Sequence, residues 1–399
     1  MVPYSDILAF AAQHAADDPL RLILQQQKYP DIDLRLVSQQ LEGQRQASAK
    51  WPTLTRCHSF FYPPKINREQ SSSELAARYK AQLFAKLDCS TFADLTGGMG
   101  VDTYFISLQA LKCDYFEISD TLFPITLHNL SALNATHVCC HHANSIEYLA
   151  KHDTCYDLIL IDPARRDSQG RKMVAFEDCT PNLLDNLPLL LSRCRHLLVK
   201  ASPMVDIRQA LMQLGTVSQV HIVAVGGECK ELLFLLPGSH FSTSSSEVQF
   251  FCTNIKEADA TDTITFTSQQ ESEAHSRFAT SMGKYLYEPN AALMKGGCYN
   301  LIGQRFDLCQ LARNTHLYTS GQLIDSFPGR TFQVLDEFPL NAKHAAKVIP
   351  EGKAHVAVRN YPMTAAQLQK KLKLREGGNL FVIAATLGSR PMGWLCRCL

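Results

Sequence analysis

Between Thr91 and Val225 the chain alternates short apolar runs of strand length with helical stretches, and this rhythm constrains the fold more than any other feature. The runs predicted as strands are Thr91–Leu95, Lys112–Glu117, His137–His142, Leu158–Ile161, His196–Lys200 and His221–Val225. Strands separated by helices connect as crossovers, which makes neighbouring strands parallel and requires helices on both faces of the sheet. The expected fold is therefore α/β, a doubly wound, Rossmann-like sheet. Further apolar runs at Leu232–Leu236, Val248–Phe251 and Thr263–Thr267 follow closely, with Ser/Thr-rich connectors between them. Their spacing predicts antiparallel additions or an edge ribbon.

The flanks have different patterns. From Met1 to about Ser48, apolar residues recur at helical spacing (Ile7, Leu8, Phe10, then Leu20, Leu22, Ile23, Leu24), with breaks at Trp51-Pro52 and Tyr62-Pro63-Pro64. Ser71-Ser72-Ser73-Glu74 offers an N-cap for a helix over Leu75–Leu87. A further unit starts near Ser281 with Tyr285-Leu286-Tyr287-Glu288-Pro289-Asn290. At Phe327-Pro328-Gly329-Arg330 the chain enters a terminal module. That module reads strand (Thr331–Glu337), helix (Ala342–Val348), strand (His355–Val358), helix (Thr364–Leu372), strand (Leu380–Thr386). The expected division is an N-terminal helical region (1–68), the sheet domain (69–280), a small ferredoxin-like or linking unit (281–330) and a small α/β domain (331–399).

Charge separates the last module from the rest. The formal net charge is only +1, yet Leu340–Leu399 carries ten Lys/Arg against Glu351 and Glu376, a net +8 that leaves −7 for the remainder. A basic module on an acidic body suits a polyanionic partner. No basic start followed by an apolar stretch is visible near Met1, and no apolar run is long enough to span a bilayer. A cytoplasmic protein with no membrane partner is expected, its fourteen cysteines being thiols. Oligomeric state is not legible.

The chemistry-bearing residues sit where the predicted strands end. Asp94-Leu95-Thr96-Gly97-Gly98-Met99-Gly100-Val101-Asp102 follows the first strand and opens a helix. Glycines there let backbone amides approach a ligand. The dinucleotide pattern G-x-G-x-x-G is not met, because Thr103 follows Gly98-x-Gly100 at the third position. A carboxylate at Asp94 suits a cationic ligand and disfavours a pyrophosphate. Glu117 ends the second strand, where a carboxylate can accept both ribose hydroxyls. Ala143-Asn144-Ser145 follows the third strand and offers an amide to adenine. Asp162-Pro163-Ala164-Arg165-Arg166 follows the fourth. Each alone is an ordinary turn residue; their order at successive strand ends makes them a site.

These residues resemble the class I S-adenosylmethionine (SAM)-dependent methyltransferases, over roughly 69–236. The combination of DLTGGMGVD, FEIS, ANS and LIDPARR is similar to a bacterial methyltransferase family with a THUMP-like C-terminal domain. The segments YLYEPNAALMK and LYTS…FPGR extend that resemblance over most of the chain. It implies SAM as cofactor, bound by Asp94, Thr96, Gly98, Gly100, Asp102, Glu117, Ile118, Asn144, Ser145 and Asp162. It also implies RNA, ribosomal or transfer, as partner. The motifs are similar too to the bacterial 16S rRNA guanine-N2 methyltransferases. The chain departs from amino-directed relatives at Ala164-Arg165, where those place an aromatic residue to stack the base.

Methyl transfer is an in-line displacement, so Asp162 is expected to hold the acceptor, with Arg165 or Lys200 contacting a phosphate or base edge. Carbon-5 pyrimidine methylation needs a cysteine nucleophile before a proline, and Lys200-Ala201-Ser202-Pro203 has alanine in that place. The acceptor is then expected to be an intrinsically nucleophilic nitrogen. Cys139-Cys140-His141-His142 reads as core strand, because adjacent strand residues face opposite sides, and no metal site is expected. A non-catalytic RNA-binding protein, or a methyltransferase acting on protein or a small molecule, are the alternatives.

Overall fold

The structure, a computed structural model, describes residues 4–163, 176, 179–241, 247–257 and 260–399. It divides into two compact units: Met1–Val220 with Lys230–Ser246, and His221–Cys229 with Glu247–Leu399.

The first unit contains β1 (Thr91–Asp94), β2 (Lys112–Glu117), β3 (Val138–His142), β4 (Tyr156–Ile161) and β5 (Cys194–Ala201). β6 (Gln219–Val225) begins in it and β7 (Glu228–Pro237) ends in it. The strand order is β3-β2-β1-β4-β5-β7. β1 to β5 are all parallel, and β7 runs antiparallel to β5. The chain starts mid-sheet, winds outward to β3, then crosses back to β4. Right-handed crossovers therefore put helices Val101–Ser107 and Leu122–Ala132 on one face, and Ser145–Lys151 and Leu183–Ser192 on the other. The reversal of winding between β1 and β4 opens a crevice at the carboxyl ends of the strands. Burial explains the apolar run Leu158–Ile161: all four residues are buried, as a parallel strand covered on both faces requires.

The N-terminal region forms helices Tyr4–Gln13, Pro19–Ile23 and Leu34–Lys50. Asp18 and Asp33 set the breaks, each accepting hydrogen bonds from the amides two and three residues on. Ile7, Leu22, Val37 and Phe61 pack together with Ile125 of the sheet unit, so these helices share its core. Ser73 caps helix Glu74–Lys86 through the Ala76 amide, as its sequence predicted.

In the second unit β8 (Gln249–Glu257) and β9 (Ala260–Thr267) form an antiparallel ribbon. β10 (Arg277–Phe278), β11 (Tyr285–Pro289), β12 (Cys309–Gln310), β13 (Tyr318–Ser320), β14 (Gly329–Glu337), β15 (His355–Arg359), β16 (Leu380–Leu387) and β17 (Arg390–Cys398) build one sheet. Its order is β10-β12-β13-β11-β14-β17-β16-β15. The last strand, β17, is absent from the sequence reading, where Pro391 and Gly393 mask its alternation. It lies between β14 and β16, and Cys396 is buried in the core there. Alternate residues of β16 feed two cores: Val382 and Ala384 pack with Ala345, Leu368 and Leu372, while Ile383 and Ala385 pack with Phe332 and Trp394. Among the described residues no helix is long and apolar enough to cross a membrane, and none of the fourteen cysteines is in a disulfide.

Candidate functional site

The turn after β1 is shaped by what surrounds its glycines. A Cβ at Gly97 would fall 2.0 Å from the Tyr115 ring, and Gly98 and Gly100 have φ of +53° and +75°. The Gly98 peptide is held from both sides. Its carbonyl accepts hydrogen bonds from the Tyr115 hydroxyl (2.7 Å) and Thr126 Oγ1 (2.9 Å), and its amide donates to Glu117 Oε2 (2.9 Å). Glu117 Oε1 accepts from the Ser119 amide, so the carboxylate bridges the turns after β1 and β2. Ser145 braces the same turn by donating to the Leu95 carbonyl. Thr96 Oγ1 accepts from the Asp162 amide at 2.7 Å, tying the turn after β1 to the end of β4.

Four further carboxylates and two ammonium groups gather around this turn. Asp94 is buried; its Oδ2 accepts from Thr103 Oγ1 at 2.7 Å and its Oδ1 from the Thr96 amide. Burial, with the Asp102 charge adding to it, pushes its carboxyl up to about 7. Asp102 stands in the first turn of helix Val101–Ser107, where a carboxylate complements the helix dipole. Ser72 Oγ donates to its Oδ2 at 2.8 Å, and Lys80 Nζ lies 3.2 Å from its Oδ1. Burial opposes the charge on Asp102, but Lys80 and Lys200 outweigh it and hold the carboxyl below its ordinary value. Lys80, fully buried, also donates to Glu231 Oε1 at 2.5 Å. Burial raises the Glu231 carboxyl despite that partner. Lys200, on β5, donates to Asp162 Oδ2 at 2.5 Å and stands 3.6 Å from Asp102 Oδ2. Burial disfavours its charge, yet Asp162, Asp102 and Glu231 together raise its pKa and keep it an ammonium. Asp162 is the open member of the set, with its side chain 40% exposed.

Helix Glu74–Lys86 and the segment before it form a strap over this cluster. Trp51 Nε1 donates to the Ser72 carbonyl and Lys50 Nζ to the Arg68 carbonyl, both at 2.7 Å. Burial, then repulsion from Lys200 and Lys230, brings the Lys50 ammonium down to about 8.

Comparison with known proteins shows what the chain is similar to. Residues 329–398 match a THUMP domain-like family model, and residues 285–328 match a ferredoxin-like one. The chain is 23% identical over 342 residues to two uncharacterized S-adenosylmethionine-dependent methyltransferases from two strains of Mycobacterium tuberculosis, covering 82% of this chain and 87% of theirs. It also superposes on the crystal structure of a methyltransferase candidate from Porphyromonas gingivalis W83, with a TM-score of 0.86 and 29% identity over 98% of this chain and 97% of that one. The chain is a SAM-dependent methyltransferase homologue with a THUMP-like C-terminal domain.

In the methyltransferase unit the structure brings Asp94, Thr96, Gly98, Gly100, Asp102, Glu117, Ser145, Asp162 and Lys200 into one connected set. Ile118 stands beside it as a large apolar side chain, 69% exposed. Asn144 caps helix Ser145–Lys151, its Oδ1 accepting from the Ile146 and Glu147 amides. Arg165 and Ala164 lie outside the described residues. Ser72, Lys80 and Glu231 are not among the site residues expected from the sequence. The signal for Lys80 was its place in the helical stripe with Ala76, Ala77 and Phe84, a core position holding a charge. For Glu231 it was the carboxylate opening the apolar run Leu232–Leu236.

Proposed function

We propose that this protein is a cytoplasmic enzyme that transfers a methyl group from SAM to a nucleophilic nitrogen of a base in structured RNA, ribosomal or transfer. The observation that carries the reading is the row of carboxylates Asp94, Glu117 and Asp162 at the carboxyl ends of the parallel strands, joined by Asp102 from the first turn of the helix after β1. The similarity to SAM-dependent methyltransferases names the cofactor class, and the THUMP-like domain supports RNA as the acceptor.

The residues fit SAM. Asp102 Oδ1 is buried with the Lys80 ammonium 3.2 Å away but no well-formed hydrogen bond, an acceptor with capacity left for the cationic amino-acid end. Each Glu117 oxygen takes one backbone amide and keeps a lone pair for a ribose hydroxyl. A Cβ at Gly98 would meet nothing nearer than the Thr96 carbonyl at 3.9 Å, which leaves backbone open to a ligand. Exposed Ile118 offers an apolar face for the adenine, and Asn144 with Ser145 would border it. SAM supplies the activated methyl group. Asp162 then acts on the acceptor: Lys200 occupies its Oδ2, leaving Oδ1 to accept a hydrogen bond from the nitrogen that is methylated. The proton lost from that nitrogen leaves to water at the exposed side of Asp162. Alanine at position 201, in the turn where carbon-5 enzymes need a cysteine, supports nitrogen as the acceptor.

The test is transfer of labelled methyl groups from SAM to RNA, protein and small-molecule fractions from cells lacking this gene. Label in one RNA species is expected. Label only in protein or small molecules, or none despite SAM binding, would overturn the reading.

A further inference from the structure

Away from the carboxyl-end crevice, the register of β2 with β3 builds a second cluster. Asp114 pairs with Cys139 and Phe116 with His141, so period-two alternation puts all four side chains on one face. The four-residue run Cys139–His142 is not a linear metal motif; the sheet instead selects Cys139 and His141 and adds Asp114 from the neighbouring strand. One donor atom from each of the three lies within 4.8 Å of the other two, and His141 Nε2 is 2.8 Å from Asp114 Oδ1.

The surroundings have the features of a ligand shell. Asp114 is buried, and its other oxygen, Oδ2, is taken by the Tyr156 hydroxyl at 2.9 Å and approached by Lys112 at 3.4 Å. That leaves Oδ1 directed at His141 and fixes the carboxylate, the role outer-shell hydrogen bonds have in metal sites. The His141 ring is stacked on Phe116 (4.5 Å, 13°) and flanked by Tyr148, so its orientation is set by packing. Cys139 is exposed on β3, the edge strand, which gives a cation a path from solvent.

We propose that Asp114, Cys139 and His141 bind a zinc-type divalent cation, with water as fourth ligand. A tetrahedral site with one sulfur, one nitrogen and one oxygen donor holds its ligand atoms roughly 3.3–3.6 Å apart, within a small adjustment of the present spacing. Binding forms three metal–ligand bonds, breaks the His141–Asp114 hydrogen bond and releases the Cys139 thiol proton to water. The donor set favours zinc or cobalt over magnesium or calcium, which take oxygen. Because the site clamps β2 to β3, occupancy stiffens the edge of the sheet that carries Glu117.

The experiment is titration of the chelator-treated, fully reduced chain with Co2+, followed by competition with Zn2+. One equivalent is expected to give thiolate-to-cobalt charge-transfer absorption, removed by Zn2+ and absent in Cys139→Ser. His141→Ala should weaken binding by about 100-fold, and Tyr156→Phe by about 10-fold through its hold on Asp114. Cys140→Ser, on the opposite face, should leave the band intact. Retained SAM binding and far-ultraviolet circular dichroism show that each variant is folded; exposed Cys139 is a mild site to change. No band in the wild type, or a band that survives Cys139→Ser, would overturn the proposal and leave the methyl-transfer reading standing.

Discussion

Asp94 combines burial with a like-charged neighbour, Asp102, and so titrates near neutrality rather than near its ordinary 3.8. A carboxyl whose folded pKa is raised binds its proton more tightly when folded. Its contribution is therefore fully present below pH 3.8 and is lost as pH rises through about 7. Stability of the ligand-free protein should fall across that window, and Asp94→Asn should flatten that part of the curve in urea denaturation at several pH values. Parallel curves for the two proteins would rule out the shift. Asp162, by contrast, is partly exposed and open on one side. Asp162→Ala should lower methyl transfer by about 100-fold or more, as loss of a positioned polar group does, with a smaller loss of SAM affinity. Full activity in that variant would remove Asp162 from the chemistry.

Between elements, one buried charge connects three pieces of chain. Lys80 on helix Glu74–Lys86 meets Glu231 on β7 and Asp102 at the start of helix Val101–Ser107. Removing one partner of such a group strands the others without water. Lys80→Met should cost roughly 3–5 kcal/mol in chemical denaturation, and Lys80→Met with Glu231→Leu should recover part of it. SAM binding should stay weakened in the double variant, because Asp102 has still lost Lys80. A double variant no more stable than Lys80→Met alone would show that the penalty is not unpaired charge. The turn after β1 imposes a steric demand of the same kind. The Tyr115 ring occupies the space of a Gly97 side chain, so Gly97→Ala should cost roughly 1–3 kcal/mol and loosen the Gly98 peptide from Glu117.

Across the whole molecule, charge and core are divided differently. Lys370, Lys371, Lys373 and Arg375 are exposed on the THUMP-like domain, at the end of helix Ala365–Leu372 and just beyond. Deleting 340–399 would remove β17, Trp394 included, from beside β14 and open the core around Leu286, Leu311 and Phe332, so truncation cannot isolate the effect of charge. Reversing the four charges to Glu should weaken RNA binding by more than about 10-fold and flatten its salt dependence, with SAM binding unchanged. Equal loss of both would argue against a separate RNA-docking surface.

The sequence alone determined what local pattern can carry. It gave the parallel order of elements from β1 to β5, because strand and helix periods differ. It marked a candidate site at strand ends through Asp94, Glu117 and Asp162, and the helix starts through Asp and Ser caps. Helices Ala342–Val348 and Ala365–Leu372 were legible in the same way. Tertiary structure decided whatever depends on partners distant in the chain. β17 has little alternation of its own and exists because β14 and β16 offer it two ladders. Lys80 is tolerable inside the fold only because Glu231, 151 residues away, meets it there. The pairing of Asp114 with Cys139 and His141 depends on strand register, which a single run of residues does not encode.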